Sequence, residues 1–457
     1  FKPGSADCTI TATPASLEYP LGLSPLELNS APYLRFDVFH DATTENGSCG
    51  GVLVANNAVL AVHYATRAPS EKTVGVKPNV ATRLNSELLG RLGEVRKVGE
   101  WKLPAGLKAQ GGSRHQFKHA TYHGHLATRV SLPRDIAYTL KRNKLFDQAT
   151  VFGPGVVDAG LKYAGTRGHQ QGFADAMKKY DVDNPAIAAA REDKKWDKAE
   201  EWTYNMFSGA LINGTMTEEE VEEGLDKKAS PGYPYKQMGY KTKGAVLAQP
   251  EFKPYMRTLP EVFFRAAWKF EWKELTDILA GKFRTFGGGP LHFIFVQKKI
   301  FGKQNEAMKR YAWSYHGFNP FYGGANVLAQ RLERFPYRAM RDWSGWDRLF
   351  FFMERVYRIR MRGLRAAGPL TQEEEKESAW VVENLKAPKY ILDDGSVVSW
   401  PWSNPSGQAS TTEDNVLGHV MVEFRLMLEL YPELRYEEAV MAVVAVYGDD
   451  HVGSYPD

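Results

Sequence analysis

The chain has 457 residues, 43% of them hydrophobic and 25% charged, a balance ordinary for a soluble globular protein and enough length for two or three structural units. Its formal net charge of +4 permits nucleic-acid binding without demanding it. Only Cys8 and Cys49 are present, which argues against a disulfide scaffold, and no apolar stretch approaches the roughly 20 residues of a spanning helix.

The chain opens on Phe1 rather than Met, shows no signal peptide and stops at Asp457 in the middle of an expected hairpin, so it reads as cut from something longer. Between residues 33 and 66, short β-like runs alternate with Gly/Asn turns: Tyr33 to Phe39, Gly50 to Val54, and Ala58 to His63. This is a β-rich first unit, residues 1–68. Pro, Gly and Lys then accumulate through residues 69–112, which read as a linker or extended arm. From Ser113 the chain becomes helix-rich. Thr215-Met-Thr-Glu-Glu-Glu220 looks like a capped helix start, and Glu261 to Ala280 is amphipathic at helical spacing. The charge run Arg191 to Glu201 is expected on a solvated helix face. After Arg341 the expected order is strand, a helix from Leu349 to about Ala366, short strands around Tyr390 to Trp400, a Ser-Gly loop, a helix through Leu428 and a last apolar strand. That is an α+β arrangement, with residues 113–335 and 336–457 as its two parts.

Three clusters carry chemistry. The apolar run Ala439 to Val446 opens into Tyr447-Gly448-Asp449-Asp450, which places two carboxylates at the tip of a buried strand. Gly448 lets the backbone bend sharply there. Asp342 ends an aromatic and basic segment, so Asp342 and Asp449 can project from adjacent strands into one cleft, with Asp450 as an auxiliary ligand. Nucleotidyl transfer uses two divalent ions held by such carboxylates, and Mg²⁺ takes oxygen ligands and waters. A surface hairpin with Asp at its tip is the plainer reading of Gly-Asp-Asp, but it accounts for neither Asp342 nor the Ser-Gly loop. Choosing ribose requires groups that sense a 2′-hydroxyl, which donates and accepts hydrogen bonds. Asp347 and Asn415 suit that task, and Asn415 shares a helix face with Thr411. Ser406 and Ser410 also suit helix capping, which does not exclude substrate contact.

On these residues the chain resembles the RNA-dependent RNA polymerases of positive-strand RNA viruses, in the picornavirus-like supergroup that includes potyviruses and astroviruses. Asp342-x4-Asp347 is similar to motif A, Ser406-Gly407-x3-Thr411-x3-Asn415 to motif B, and Tyr447-Gly448-Asp449-Asp450 to motif C. The resemblance implies a right-hand polymerase with fingers (113–335) and palm (336–457), the chain stopping before the thumb. It implies that Asp342, Asp449 and Asp450 bind two Mg²⁺ (or Mn²⁺) ions and that Asp347, Ser406, Thr411 and Asn415 contact the ribose or nucleotide. Lys228 to Tyr235 looks like motif G, so Ser230, Pro231 and Gly232, with Gly407, would line the template path. Lys273 to Phe286 looks like motif F, whose Lys282 and Arg284 would cover the entering triphosphate, as phosphate charge favours. The implied partners are RNA template and primer, ribonucleoside triphosphates and other viral replication proteins, in the host cytoplasm at replication complexes.

A second resemblance lies in the first unit. Gly47-Ser48-Cys49-Gly50-Gly51, followed by His63 on a strand, resembles the C-terminal part of a chymotrypsin-like cysteine protease of the same viruses, a partial β-barrel. Small residues there let backbone N–H groups face a developing oxyanion, Cys49 would be the nucleophile and His63 would line the substrate pocket. Such proteases usually show Gly where Ala61 stands, and the triad His and its acidic partner would lie upstream of Phe1. Gln110 followed by Gly111 is a candidate cut between the units. Two rivals to RNA synthesis remain. A reverse transcriptase shares the palm carboxylates but places a bulky aromatic gate at the ribose, and a non-catalytic RNA-binding palm would lack a metal carboxylate.

Overall fold

The computed structural model describes residues 101–109, 113–136, 162–182, Ala189 and 192–456, and the backbone of strands Ile10–Ala12, Asp37–His40, Val52–Ala55, Ala58–Thr66, Asn79–Arg83 and Tyr138–Thr139. The chain divides into two units, Phe1–Lys97 and Val98–Asp457.

The first unit is one antiparallel sheet in the order Ile10–Ala12, Asp37–His40, Asn79–Arg83, Ala58–Thr66, Val52–Ala55. Its strands fall where β-branched residues recur between Gly/Asn turns, as in Ala58-Val-Leu-Ala-Val. The backbone of His63 lies opposite Ala81. Cys49 and Gln110 lie outside the described residues.

In the second unit a mixed five-stranded sheet runs Thr285–Gly288, Phe264–Trp268, Lys389–Ile391, Ser396–Ser399, Thr121–His125, with one parallel pair. A smaller sheet joins Trp272–Glu274, Tyr163–Thr166 and Tyr138–Thr139. The segment Glu261 to Ala280 is therefore strand over Phe264–Trp268 and Trp272–Glu274, and helix forms only over Leu275–Leu279. Phe264 and Ala266 point into the core with period two, and the edge of Thr285–Gly288 supplies the hydrogen bonds, which outweighs the helical spacing.

Among the described residues the second unit has five long helices: Lys195–Leu211, Leu291–Ala307, Met353–Ala367, Gln372–Lys386 and Thr411–Leu430. Thr411–Leu430 is buried at every position from Glu413 to Phe424, so apolar residues occur all round it and it runs through the core. It packs on Lys195–Leu211 and on the strand Val443–Tyr447. Most charged residues of the run, Glu192, Lys194, Lys195, Asp197, Lys198 and Glu201, are exposed as expected of a solvated face, and the run also carries ion pairs. Glu200 bonds Arg355 at 2.8 Å and Arg358 at 2.7 Å, and Glu201 pairs with Arg362, so it zips Lys195–Leu211 to Met353–Ala367. The expected capping at residues 215–220 is a full capping box between Thr217 and Glu220. A second box, Thr371 with Glu374, opens Gln372–Lys386, a helix absent from the expected order although its Thr-x-x-Glu signature is plain.

The third sheet has the order Tyr337–Asp342, Asp450–Tyr455, Val443–Tyr447, all antiparallel. The strand of Asp342 and the strand leading to Asp449 are thus not adjacent, because Asp450–Tyr455 lies between them. The last apolar strand is also shorter than expected, since Tyr436–Ala439 is a helical turn.

Candidate active site

Val443, Val444 and Val446 favour an extended chain, and Gly448 turns it back at φ +65°, a left-handed conformation that suits glycine. Nothing crowds Gly448, so backbone conformation alone selects it. Because Tyr447 pairs with Asp450 and Asp450 with Asp342, the three carboxylates Asp342, Asp449 and Asp450 meet at one end of the sheet. Burial, and then the charges of Asp449 and Asp342, push the Asp450 carboxyl above its ordinary range. Crowded oxygen donors of this kind match what a hard divalent cation takes.

The core helix fixes this end of the sheet from behind. Trp343 Nε1–H donates to His419 Nε2 at 2.9 Å, which leaves His419 Nδ1–H to donate to the Gly448 carbonyl at 3.3 Å. Burial lowers His419 to about 4, so it stays the neutral ring that this pattern needs. One turn on, buried Glu423 accepts from Tyr455 Oη at 2.6 Å and also from Arg341. One helix thus holds the residue after Asp342, the residue before it, and the turn carrying Asp449.

Asp347 stands in a 3₁₀ turn, Trp346–Arg348, entered through Gly345 at φ +75°. Its Oδ1 accepts from Asn415 Nδ2 at 2.7 Å, and its carbonyl accepts from the Asn404 N–H at 2.7 Å. Burial raises the Asp347 pKa against the Asn415 bond; the Asp449 charge raises it further, and Arg284 and Arg348 oppose. These couplings place Asp347, Asp449 and Arg284 within electrostatic reach of one another. Arg284 is itself largely exposed, 3.4 Å from Glu271, and Lys282 is exposed and paired with Asp277 at 2.8 Å. Arg284 therefore joins the group around Asp347, and Lys282 has its partner outside it.

The Ser-Gly loop meets the 287–290 stretch backbone to backbone. A Cβ at Gly407 would stand 2.2 Å from the Gly287 carbonyl oxygen, and one at Gly232 2.6 Å from that of Gly289. Leu291 N–H donates to the Pro231 carbonyl at 2.9 Å, so Pro231, Gly232, the Gly287–Pro290 stretch and Gly407 form one close stack. Ser230 and Ser406 are exposed beside it. Ser410 holds the N-cap position of Thr411–Leu430 without a side-chain cap bond; its Oγ accepts from Asn305 instead, at 3.0 Å. Thr411 Oγ1 donates back to the Pro405 carbonyl at 3.1 Å and closes the loop. Asn404, Gln408, Asp414 and Arg360, with His419 and Glu423, are site-supporting residues that motif reading misses. Apart from Arg360, which comes from Met353–Ala367, their one sequence signal is a set of polar residues inside an otherwise apolar helix and its entry loop.

A further acidic group, His115 with Asp393 and Asp394, brings ligand atoms within 4.8 Å of one another. Its atoms are already engaged: Asp393 meets His115 at 2.7 Å and pairs with Arg114, and Asp394 accepts from Ser113, Arg114 and Ser396. It ties residues 113–115 to the Asp393–Asp394 turn. Among the described residues no helix is long and apolar enough to cross a membrane.

A carboxylate hairpin set against a long buried helix, with a glycine loop packed on the 287–290 stretch, defines a mixed α/β fold of polymerase type. Residues 143–456 match the viral RNA-dependent RNA polymerases, and the chain belongs to that family. It is similar to the non-structural polyprotein 1AB of ovine astrovirus 1, 24% identical over 306 residues, which are 63% of this chain and 22% of that one. To the turkey astrovirus 1 polyprotein 1AB it is 31% identical over 161 residues, 33% of this chain and 10% of that one. The chain spans less than a quarter of the length of either relative. Among solved structures, the Sicinivirus 3Dpol RNA dependent RNA polymerase shares the fold, with a TM-score of 0.58 at 16% identity over 74% of this chain and 72% of that one.

Proposed function

We propose that this chain carries the catalytic palm for template-directed RNA synthesis from ribonucleoside triphosphates, within the replicase of a positive-strand RNA virus. The observation that carries the reading is the register of Asp342 against Asp450 at the Asp449 turn, with the bonded pair Asp347–Asn415 beside it. Asp342, Asp449 and Asp450 would hold two Mg²⁺ or Mn²⁺ ions; their all-oxygen donor set and the mutual repulsion felt by Asp450 suit that role. Bound there, two such ions activate the primer hydroxyl and steady the leaving pyrophosphate.

The other residues orient the substrates. Asp347 and Asn415 offer an acceptor and a donor to a ribose 2′-hydroxyl, which favours RNA synthesis over reverse transcription. Arg284, with Lys282 beyond it, supplies positive charge for the triphosphate. Ser230 and Ser406, exposed beside the stack of Pro231, Gly232 and Gly407, would face the template strand, while the two glycines let the loop and the 287–290 stretch pack closely behind them. RNA template, primer and ribonucleotides are the partners, with other replication proteins at cytoplasmic sites in the host cell.

Primed RNA extension by the full-length polymerase, with Mg²⁺ and either ribo- or deoxynucleotides, tests this reading. Ribonucleotide-only extension that disappears in Asp449→Ala, with RNA binding retained through phosphate contacts, is the expected result. Extension unaffected by Asp449→Ala sinks the metal assignment, and RNA binding without any extension favours a non-catalytic palm.

Residues 1–68 we read as the C-terminal part of a chymotrypsin-like cysteine protease, with Cys49 as nucleophile and His63 in its pocket. The antiparallel order of the first unit, whose middle strand Asn79–Arg83 comes from the stretch expected as a linker, and the Gly-Ser-Cys-Gly run support this. Mass spectrometry of the processed precursor is expected to find a polymerase beginning at Gly111; a start elsewhere removes the Gln110 assignment.

A further inference from the structure

Four side-chain amides, those of Gln297, Gln408, Asn404 and Asn415, form a continuous relay beneath the Ser-Gly loop. An amide has two chemically different ends, a carbonyl that accepts and an NH₂ that donates, and its neighbours decide which way it points. In this relay the direction starts from groups that cannot reverse. The backbone N–H of Ser410 donates to Gln408 Oε1 at 2.7 Å, and that of Ala409 donates to Gln297 Oε1 at 2.8 Å. Gln408 must therefore present its NH₂ to the next members, 3.0 Å from Asn404 Oδ1 and 2.7 Å from Asp414 Oδ2. Asn404 in turn can only donate onward, from Nδ2 to Asn415 Oδ1 at 2.8 Å. Asn415 is then left with Nδ2 toward Asp347 Oδ1, at 2.7 Å.

Asp414 pins the relay in place. It is fully buried, ion-paired with the equally buried Arg360, and bonded by Tyr357 Oη at 3.0 Å. Neither Asp414 nor any amide of the relay touches Asp342, Asp449 or Asp450 through a hydrogen bond among the described residues.

We propose that Asn404 is a positioning residue that sets ribose selectivity: by fixing the polarity of the Asn415 amide, it presets the donor and acceptor that the 2′-hydroxyl meets. The inference rests on the reading of Asp347 and Asn415 as the ribose-sensing pair. Without the Asn404 amide, buried Asn415 Oδ1 loses its donor, and a turned Asn415 would set carbonyl oxygen against carboxylate. An unpaired buried acceptor is costly, so the pair relaxes into another geometry. The Asn404 backbone N–H bond to the Asp347 carbonyl does not depend on the side chain, and the one other contact of Asn404 Nδ2 among the described residues is a longer bond to the Thr411 carbonyl at 3.3 Å.

The test is the ratio of kcat/KM for ATP to that for 2′-deoxyATP in primed extension by the full-length polymerase. It compares wild type, Asn404→Leu, Asn404→Asp and Asn415→Ala, with thermal unfolding checked for each. Asn404→Leu removes the donor at similar volume, and Asn404→Asp removes it at the same shape. The expected result is a fall in the ratio of about tenfold in both Asn404 variants, with kcat/KM for ATP falling by less than about threefold; tenfold corresponds to about 1.4 kcal/mol. A ratio that collapses in Asn415→Ala but stays at the wild-type value in both Asn404 variants overturns the inference and leaves the ribose reading standing. A ratio unchanged in Asn415→Ala overturns the ribose reading itself. Should neither Asn404 variant fold, Gln408→Met decides: it removes the donor that orients Asn404, so a reduced ratio supports the relay and an unchanged one overturns it.

Discussion

The carboxylate hairpin and the loop entering the core helix treat polar groups in opposite ways. Asp342 and Asp450 stand exposed at the end of their sheet, and the atoms that position them, from Arg341, Trp343, His419 and Glu423, lie behind or beside them. Between Asn404 and Asn415, by contrast, Asn404, Gln408, Ser410, Asp414 and Asn415 are all buried and bonded to one another or to neighbouring helices. The difference follows from what each region would meet on the proposed reading. Open carboxylates can exchange water for a cation, so their support has to come from outside the ligand sphere. A selective contact to one hydroxyl needs fixed donor and acceptor directions, and a closed network supplies them.

The largest effect that would break this contrast is at the hairpin. Asp449→Ala is expected to lower nucleotide addition about a thousandfold or more, equivalent to about 4 kcal/mol of lost transition-state stabilisation, with little change in unfolding. Steady-state extension paired with a urea titration measures both. The loop side should behave the other way round. Asp414→Asn leaves Arg360 buried without its counter-charge, and the expected cost is about 3–5 kcal/mol of stability. The double change Arg360→Met with Asp414→Leu should recover much of that loss, and equal urea midpoints for the single and double variants would contradict the pairing.

A smaller effect comes from acid. His419 is held near pKa 4, so between about pH 6.5 and 4 the unfolded chain takes up a proton that the folded chain refuses. Stability therefore falls as pH drops below 6.5, by about 1.4 kcal/mol at pH 5.5 from this group. Protonation would also remove the acceptor that Trp343 uses. Urea midpoints at pH 7.5 and 5.5 should separate less in His419→Phe than in wild type, and an equal separation would mean that His419 titrates normally.

The carboxylates and the glycine loop were legible because their signal is local: Tyr447 to Asp450 and Ser406 to Asn415 each fit in ten residues or fewer. The relay was not, because Gln297 and Arg360 reach it from other helices and no spacing in the sequence links them. Phe264 to Trp268 is ambiguous in sequence for a different reason. A short aromatic segment fits both the helical and the two-residue period, and only its partner Thr285–Gly288 decides between them. Strand adjacency failed similarly, since nothing local says that Asp450–Tyr455 lies between its two neighbours.

That strand order also sets a clock. The middle strand of the carboxylate sheet is made about a hundred residues after the edge strand that ends in Asp342. At synthesis rates of about 5–20 residues per second, roughly 5 to 20 s separate the emergence of the two. Throughout that interval a growing chain holds Asp342 with no opposing carboxylate, so the proposed cation site would be completed late and all at once.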